Sequence, residues 1–277
     1  MISRFAVTVA ALLLGSAAAV AESAPVLPLA SHRAAYDISL ADSSGPSPTS
    51  QQAPISATGL IAYEFRGSAC EGYTSNFRQM TEMERSEGEP VSTQVNAMSF
   101  EDADGKSMRF QIDSQGLQES EPVAGTATRG AGDDLRVELT KPQPKSLDFG
   151  HDVLFPTQHI ERLIDAAKHG EGIVQARVYD GSDTGAKIFA TMSVIGKEAT
   201  KPGEDAQTAT ELGAVRRWPV VISYFDEAAT DSAPEYTLSF DLYENGVSGS
   251  LKLDYGAFAL HARLRKLEIL PTSACAK

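Results

Sequence analysis

Five histidines, two cysteines and two short motifs are the residues of this 277-residue chain whose types and spacing suggest chemistry. His32, His151, His159, His169 and His261 contain no helical His-x-x-x-His pair of the zinc-enzyme kind. His159 and His169 fall on different faces of any helix that carries both. His151 and Asp152 are adjacent, so in an extended segment their side chains diverge. These read as surface or hydrogen-bonding histidines, and no metal is expected. Asp183-Thr184-Gly185 spells the aspartic-protease triplet, but that chemistry needs two carboxylates sharing one proton, each on its own strand-loop. One copy is present, and it reads as part of a hairpin loop from Asp180 to Gly185; a calcium loop on Asp180 and Asp183 is equally disfavoured. Gly246-Val247-Ser248-Gly249-Ser250 approaches a nucleophile elbow, with Ser250 where the last glycine must stand and no strand-to-helix turn around it. There is no phosphate loop or dinucleotide fingerprint, and a mostly antiparallel chain lacks the βαβ setting both require. No catalytic constellation and no cofactor follow, and the chain does not read as an enzyme.

The cysteines point to a compartment instead. Residues 1–21 have Arg4, an apolar run and an Ala19-Val20-Ala21 cleavage signature, which predicts export with cleavage after Ala21 and a single mature domain, 22–277. No cysteine lies near that site, so no lipid anchor is expected and the protein should be free in the periplasm. Cys70 and Cys275, an even count in an exported chain, are expected to form a disulfide. The formal net charge of −13 excludes a nucleic-acid binder resting on general basicity and argues against docking on anionic lipid. No later apolar run approaches the ~18 residues of a membrane span. Aromatic residues at 7% are too few for the two girdles of an outer-membrane barrel.

Almost all of the mature chain reads as strand. Segments 32–40, 59–66, 73–84, 91–100, 108–112, 173–179, 187–195, 215–225, 236–243, 247–255 and 258–269 carry strand patterning, as do Leu135, Val137 and Leu139. A Ser/Pro/Gln stretch, 42–54, is a surface loop. Asn245-Gly246 suggests a type I′ hairpin turn. One helix is expected over about 157–169, with Thr157 as N-cap, a one-sided stripe of Ile160, Leu163, Ile164 and Ala167, and Gly170 as the left-handed C-terminal residue. About twelve to fourteen strands around one helix predict a mainly antiparallel sheet, strongly curled or partly closed.

Several segments together resemble one family. They are His32-Arg33-Ala34-Ala35-Tyr36, Gly59-Leu60-Ile61-Ala62-Tyr63-Glu64, Cys70-Glu71-Gly72-Tyr73, Val153-Leu154-Phe155-Pro156-Thr157-Gln158-His159 and Val178-Tyr179-Asp180-Gly181-Ser182, with the near-terminal Cys275. The chain is similar over about residues 30–277 to the EipB family of alphaproteobacterial cell envelope integrity proteins. The resemblance implies a mainly β fold, a spiral, open β-barrel-like sheet of about fourteen strands around the helix, with Cys70 bonded to Cys275. It also implies a periplasmic, non-enzymatic role in envelope integrity, through a tetratricopeptide-repeat protein partner. The alternative is a carrier of lipid or lipoprotein acyl chains in an apolar half-barrel, as in Lol-type carriers. Alternating residues such as Trp218, Val220, Ile222 and Tyr224 would line such a cavity or fill a dry core. The sequence favours the filled core and action through the outer surface.

Overall fold

Alternation of apolar and polar side chains, which gives a strand one buried and one wet face, runs through most of the computed structural model. It describes residues 28–42, 54–116, 121–201, 205–229, 233–272 and 275. The expected leader, 1–21, and most of the expected 42–54 loop lie outside the described residues. The chain begins with β1 (His32–Ala41), β2 (Pro54–Ser68), β3 (Gly72–Arg85), β4 (Val91–Glu101), β5 (Ser107–Gln115), β6 (Val123–Arg129), β7 (Leu135–Lys141) and β8 (Lys145–Asp148). A two-residue β9 (Val153–Leu154) leads into helix α1 (Pro156–His169), followed by β10 (Ile173–Val178) and β11 (Phe189–Ile195). A short helix α2 (Ala206–Leu212) precedes β12 (Arg217–Asp226), β13 (Tyr236–Tyr243), β14 (Ser248–Asp254) and β15 (Ala259–Ile269).

These strands form one sheet of 15, in the order β8-β7-β6-β5-β4-β3-β2-β1-β15-β14-β13-β12-β11-β10-β9. Strand β1 is the seam, antiparallel to both β2 and β15. All other ladders are antiparallel except β9 against β10, which is parallel. The two edges, β8 and β9, are consecutive in the chain, separated only by residues 149–152. That connection can span no more than about 18 Å, whereas a flat sheet of this width would measure about 65 Å. The sheet must therefore curl until its edges approach, without pairing them. Arg177 of β10 ties the connection down, donating to the carbonyl oxygens of His151 and Phe149 at 2.6 and 3.0 Å and to both carboxylate oxygens of Glu227.

Helix α1 lies in the curl. Its Leu163, Ile164, Ala166 and Ala167 pack on Val174, Ile195, Trp218, Val220, Ile222, Phe240 and Leu242 from the β10–β13 half, and the same cluster takes in Phe65 and Tyr73 from the other half. Gly170 has φ 76°, and its N–H closes on the carbonyls of Ala166 and Ala167. A half-turn earlier, Lys168 reaches Glu244 at 3.0 Å, fixing the helix end to the β13–β14 hairpin. A second cluster joins β1, β2, β14 and β15 around Tyr36, Ile61 and Leu264, and a third joins β5–β7 to Val153, Phe155 and Tyr179.

Three local expectations change. Thr157 is not the N-cap: Phe155 holds that position and Pro156 is the first helical residue, where its fixed φ and missing N–H are suited. The Thr157 amide and hydroxyl instead donate to Glu101, so a carboxylate from another strand takes over the capping. The Asn245-Gly246 turn is not type I′, since only Gly246 has positive φ (82°). Tyr243 donates to Val247 and Gly246 to Tyr243, a three-residue loop closed by one left-handed glycine. His151 and Asp152 do not diverge: Asp152 has φ 59°, so the segment is not extended and Nε2 lies 3.5 Å from Oδ2.

Candidate functional site

The register of β2 to β5 lays inward-facing residues in rows across four strands. One row runs Phe65, Ser75, Ser99, Phe110, and the next runs Tyr63, Phe77, Ala97, Ile112. The first row has two serines between its two rings, and the second has Ala97 between Phe77 and Ile112, so small groups lie among larger ones. Side chains that small cannot reach helix α1, and a cavity of about 480 Å³ remains. Opposite these rows, it is lined by Pro156 and Ile160 of α1, Tyr236 and Leu238 of β13, and Leu253 of β14. Its volume lies within the ~300–1,000 Å³ of ordinary small-molecule sites, and its wall is mostly apolar.

The interior is thus neither uniformly filled nor uniformly hollow. Leu163 is fully buried, with Trp218, Val220 and Ile222 packed in the same cluster, so that part of the helix stripe faces a dry core. Ile160, one turn earlier, faces the cavity. The expectation of a filled core holds for one half of the helix and fails for the other, because β3 and β4 present small inward residues there.

Glu101 is the most unusual group on this wall. It ends β4, is only 4% exposed, and accepts from the Thr157 amide (3.0 and 3.2 Å) and hydroxyl (2.9 Å) at the positive end of α1. Burial outweighs these bonds and pushes its carboxyl up from 4.5 to about 7. Asp180, in the β10–β11 loop, also lines the cavity and is pushed up by burial, partly offset by its bonds to Ser182. His32 is buried at the opposite rim, with Nδ1 2.7 Å from the Ala30 carbonyl, and burial lowers its pKa, favouring the neutral ring.

A stability test follows from Glu101. Between pH 4.5 and about 7 the folded protein holds a proton there that the unfolded chain has released. Its contribution is therefore complete below pH 4.5 and is lost as pH rises through 7. Glu101→Gln keeps an acceptor for Thr157 and cannot ionise. Across that window wild type should lose, relative to this variant, up to about 3 kcal/mol of unfolding free energy. Urea unfolding of both proteins at acidic and mildly alkaline pH checks this; a constant difference would show that Glu101 does not carry the change.

Asp183 and Gly246, from the two motifs read in the sequence, reach the cavity wall, but the bonds their segments make are structural. Asp183-Thr184-Gly185 closes the β10–β11 loop, where Gly185 N–H donates to the Ser182 carbonyl and Asp183 meets Lys187 at 3.0 Å. The Gly246–Ser250 stretch is the β13–β14 hairpin. His159 is buried beside Thr191 and held neutral, its pKa lowered by burial to about 4, while His151 and His169 are exposed. Among the described residues no group of three or more His, Cys, Asp or Glu is placed to hold a metal. Cys70 and Cys275 are bonded, with Cα atoms 5.8 Å apart, joining the β2–β3 turn to the segment after β15. Sequence reasoning missed Glu101, because no local pattern marks a carboxylate that caps a helix 56 residues away. The small inward residues were legible in principle: 73–84 and 91–100 are strands with few bulky apolar side chains.

The family model described as EipB-like matches residues 23–271 of this chain. The cell envelope integrity protein EipB of Brucella abortus (strain 2308) is 36% identical over 261 residues, covering 92% of this chain and 89% of that protein. A crystal structure of a beta-barrel-like protein from Brucella abortus, a domain of unknown function, superposes with a TM-score of 0.80 at 36% identity. It covers 88% of this chain and 100% of that one.

Proposed function

The chain belongs to the EipB-like family, and from that premise we propose that it supports cell envelope integrity in the periplasm by holding an apolar chain, such as a lipid acyl chain, inside its curled sheet. The observation that carries this reading is the cavity beside Ile160, bounded by Phe65, Phe77, Phe110 and Leu238 and floored by small residues. Apolar surface at a cavity wall is stabilised when a hydrocarbon chain covers it, by about 0.8 kcal/mol per methylene removed from water.

The test is lipid mass spectrometry on extracts of protein purified from the periplasm of cells that express it with its own leader. Acyl lipid should accompany the wild-type protein and should fall at least several-fold in Ser99→Leu, which adds volume between Ser75 and Phe110. The variant should remain folded, since it fills space rather than removing a contact. Lipid-free wild-type protein that also fails to take up a long-chain probe would overturn the reading.

A second reading has its own observation. On the outer face, Ile173 (64% exposed), Val194 (50%) and Val221 stand in one row across β10, β11 and β12, with Met192 beside them. Such a patch suits a protein partner, of the tetratricopeptide-repeat kind that the family resemblance implies. Val194→Asp should then abolish co-purification of that partner and leave the lipid content unchanged.

A further inference from the structure

We infer that the cavity selects its occupant by the charge of the polar end, taking a single-chain amphiphile that ends in an ammonium group and rejecting one that ends in a carboxylate. The inference rests on the chain-binding reading above and adds what the head must be. Among the described residues, three carboxylates line the cavity, Glu101, Asp180 and Asp183, and no lysine or arginine does. The one basic side chain among those lining residues, His32, is buried and favours its neutral form. Asp183 is answered by Lys187 outside the lining. Asp180 accepts a bond from the Ser182 amide at 2.8 Å and no cation of the described residues acts on it, whereas Glu101, which accepts from Thr157, has part of its charge offset by the nearby Arg129 guanidinium. Two acids thus face a mostly apolar space, and among the described residues no cation lines it. An anionic head brought there would meet like charge in a poorly solvated site, whereas an ammonium would give Asp180 a countercharge, add to that of Arg129 at Glu101, and bring up to three donors. The partly relieved helix N-terminus does not reverse this, since Glu101 already occupies it.

The experiment is isothermal titration of the intact mature protein at pH 7.5 with dodecylammonium, dodecanol and dodecanoate, each below its critical micelle concentration. Wild type should bind the ammonium about tenfold or more tightly than the carboxylate, with the alcohol between them. In Glu101→Gln/Asp180→Asn, the ammonium-to-carboxylate ratio should fall towards unity while the alcohol binds as before. Each single variant is titrated as well, so that a folding defect in one leaves the other informative; circular dichroism verifies the fold of all three. Dodecanoate binding as tightly as dodecylammonium would overturn the head-group inference and leave chain binding standing. A preference that survives in the folded variants would assign it to the overall negative charge of the protein, and would also overturn the inference. Failure of all three probes to bind would remove the chain-binding reading itself.

Discussion

Leu163→Asp should leave no folded protein at 25 °C, whereas Ile160→Asp, one turn away on the same helix face, should fold and lose only its apolar ligand. Leu163 has no exposure and sits in the cluster of Trp218, Val220, Ile222 and Leu242. Replacing it removes about 2–5 kcal/mol of packing and strands a carboxylate with no partner and no path to water. Burial of an uncompensated charge costs several kcal/mol more. The sum, about 5–10 kcal/mol, is comparable to the ~5–15 kcal/mol by which a domain is stable. Ile160 is only partly buried and borders the cavity, so a carboxylate there can be hydrated from the cavity side. Its cost should stay near that of an ordinary partly buried substitution, about 1–3 kcal/mol. Far-UV circular dichroism and urea midpoints of the two variants separate the cases. An Ile160→Asp protein as unfolded as Leu163→Asp would mean that the helix faces solid core along its whole length and that the cavity is too tight for a chain.

That contrast also shows where the sequence was readable. The helix period and its stripe are local properties, and they placed the helix to within a residue or two at each end. Strands β11 to β15 were equally visible, because each alternates against a neighbour packed on one face only. Strands β6, β8 and β9 carry no such pattern. The first is Val-Ala-Gly-Thr-Ala-Thr-Arg, without bulky side chains to mark a buried face; the others are four and two residues long and owe their form to neighbours. Helix α2 has seven residues, too few for a stripe to repeat. The cavity depended on register, a non-local property. Ser75, Ser99 and Ala97 are unremarkable one at a time, and become a floor only when β3 and β4 align so that they share adjacent rows. Glu101 is the same case, since its role was fixed by a helix start that folding brings to the end of β4.

Reduction of the Cys70–Cys275 bond should lower the stability of the folded protein by up to about 5 kcal/mol without abolishing the fold. The two cysteines are 205 residues apart, so the cross-link restricts a segment spanning most of the chain when it is unfolded. Loop-closure entropy grows only logarithmically with length, which is why so long a loop gives this figure rather than a far larger one. The fold should survive because the bond is not what pairs the ends of the chain. Strand β1 is hydrogen-bonded along its length to β15, and Leu270 N–H donates to the Ser31 carbonyl beyond the strand end. A core of this size also holds without a staple. What the bond adds is attachment of the segment after β15 to the β2–β3 turn, where Ser68 and Gly72 close the hairpin. Cys70→Ser and Cys275→Ser should therefore melt at the same lowered temperature as each other and as the double variant, by about 10–20 °C at the upper limit. Equality of the three is the sharper demand. Unequal single variants would indicate that one cysteine contributes through its own packing, and an unchanged melting temperature in all three would show that the two thiols are not joined in the folded protein.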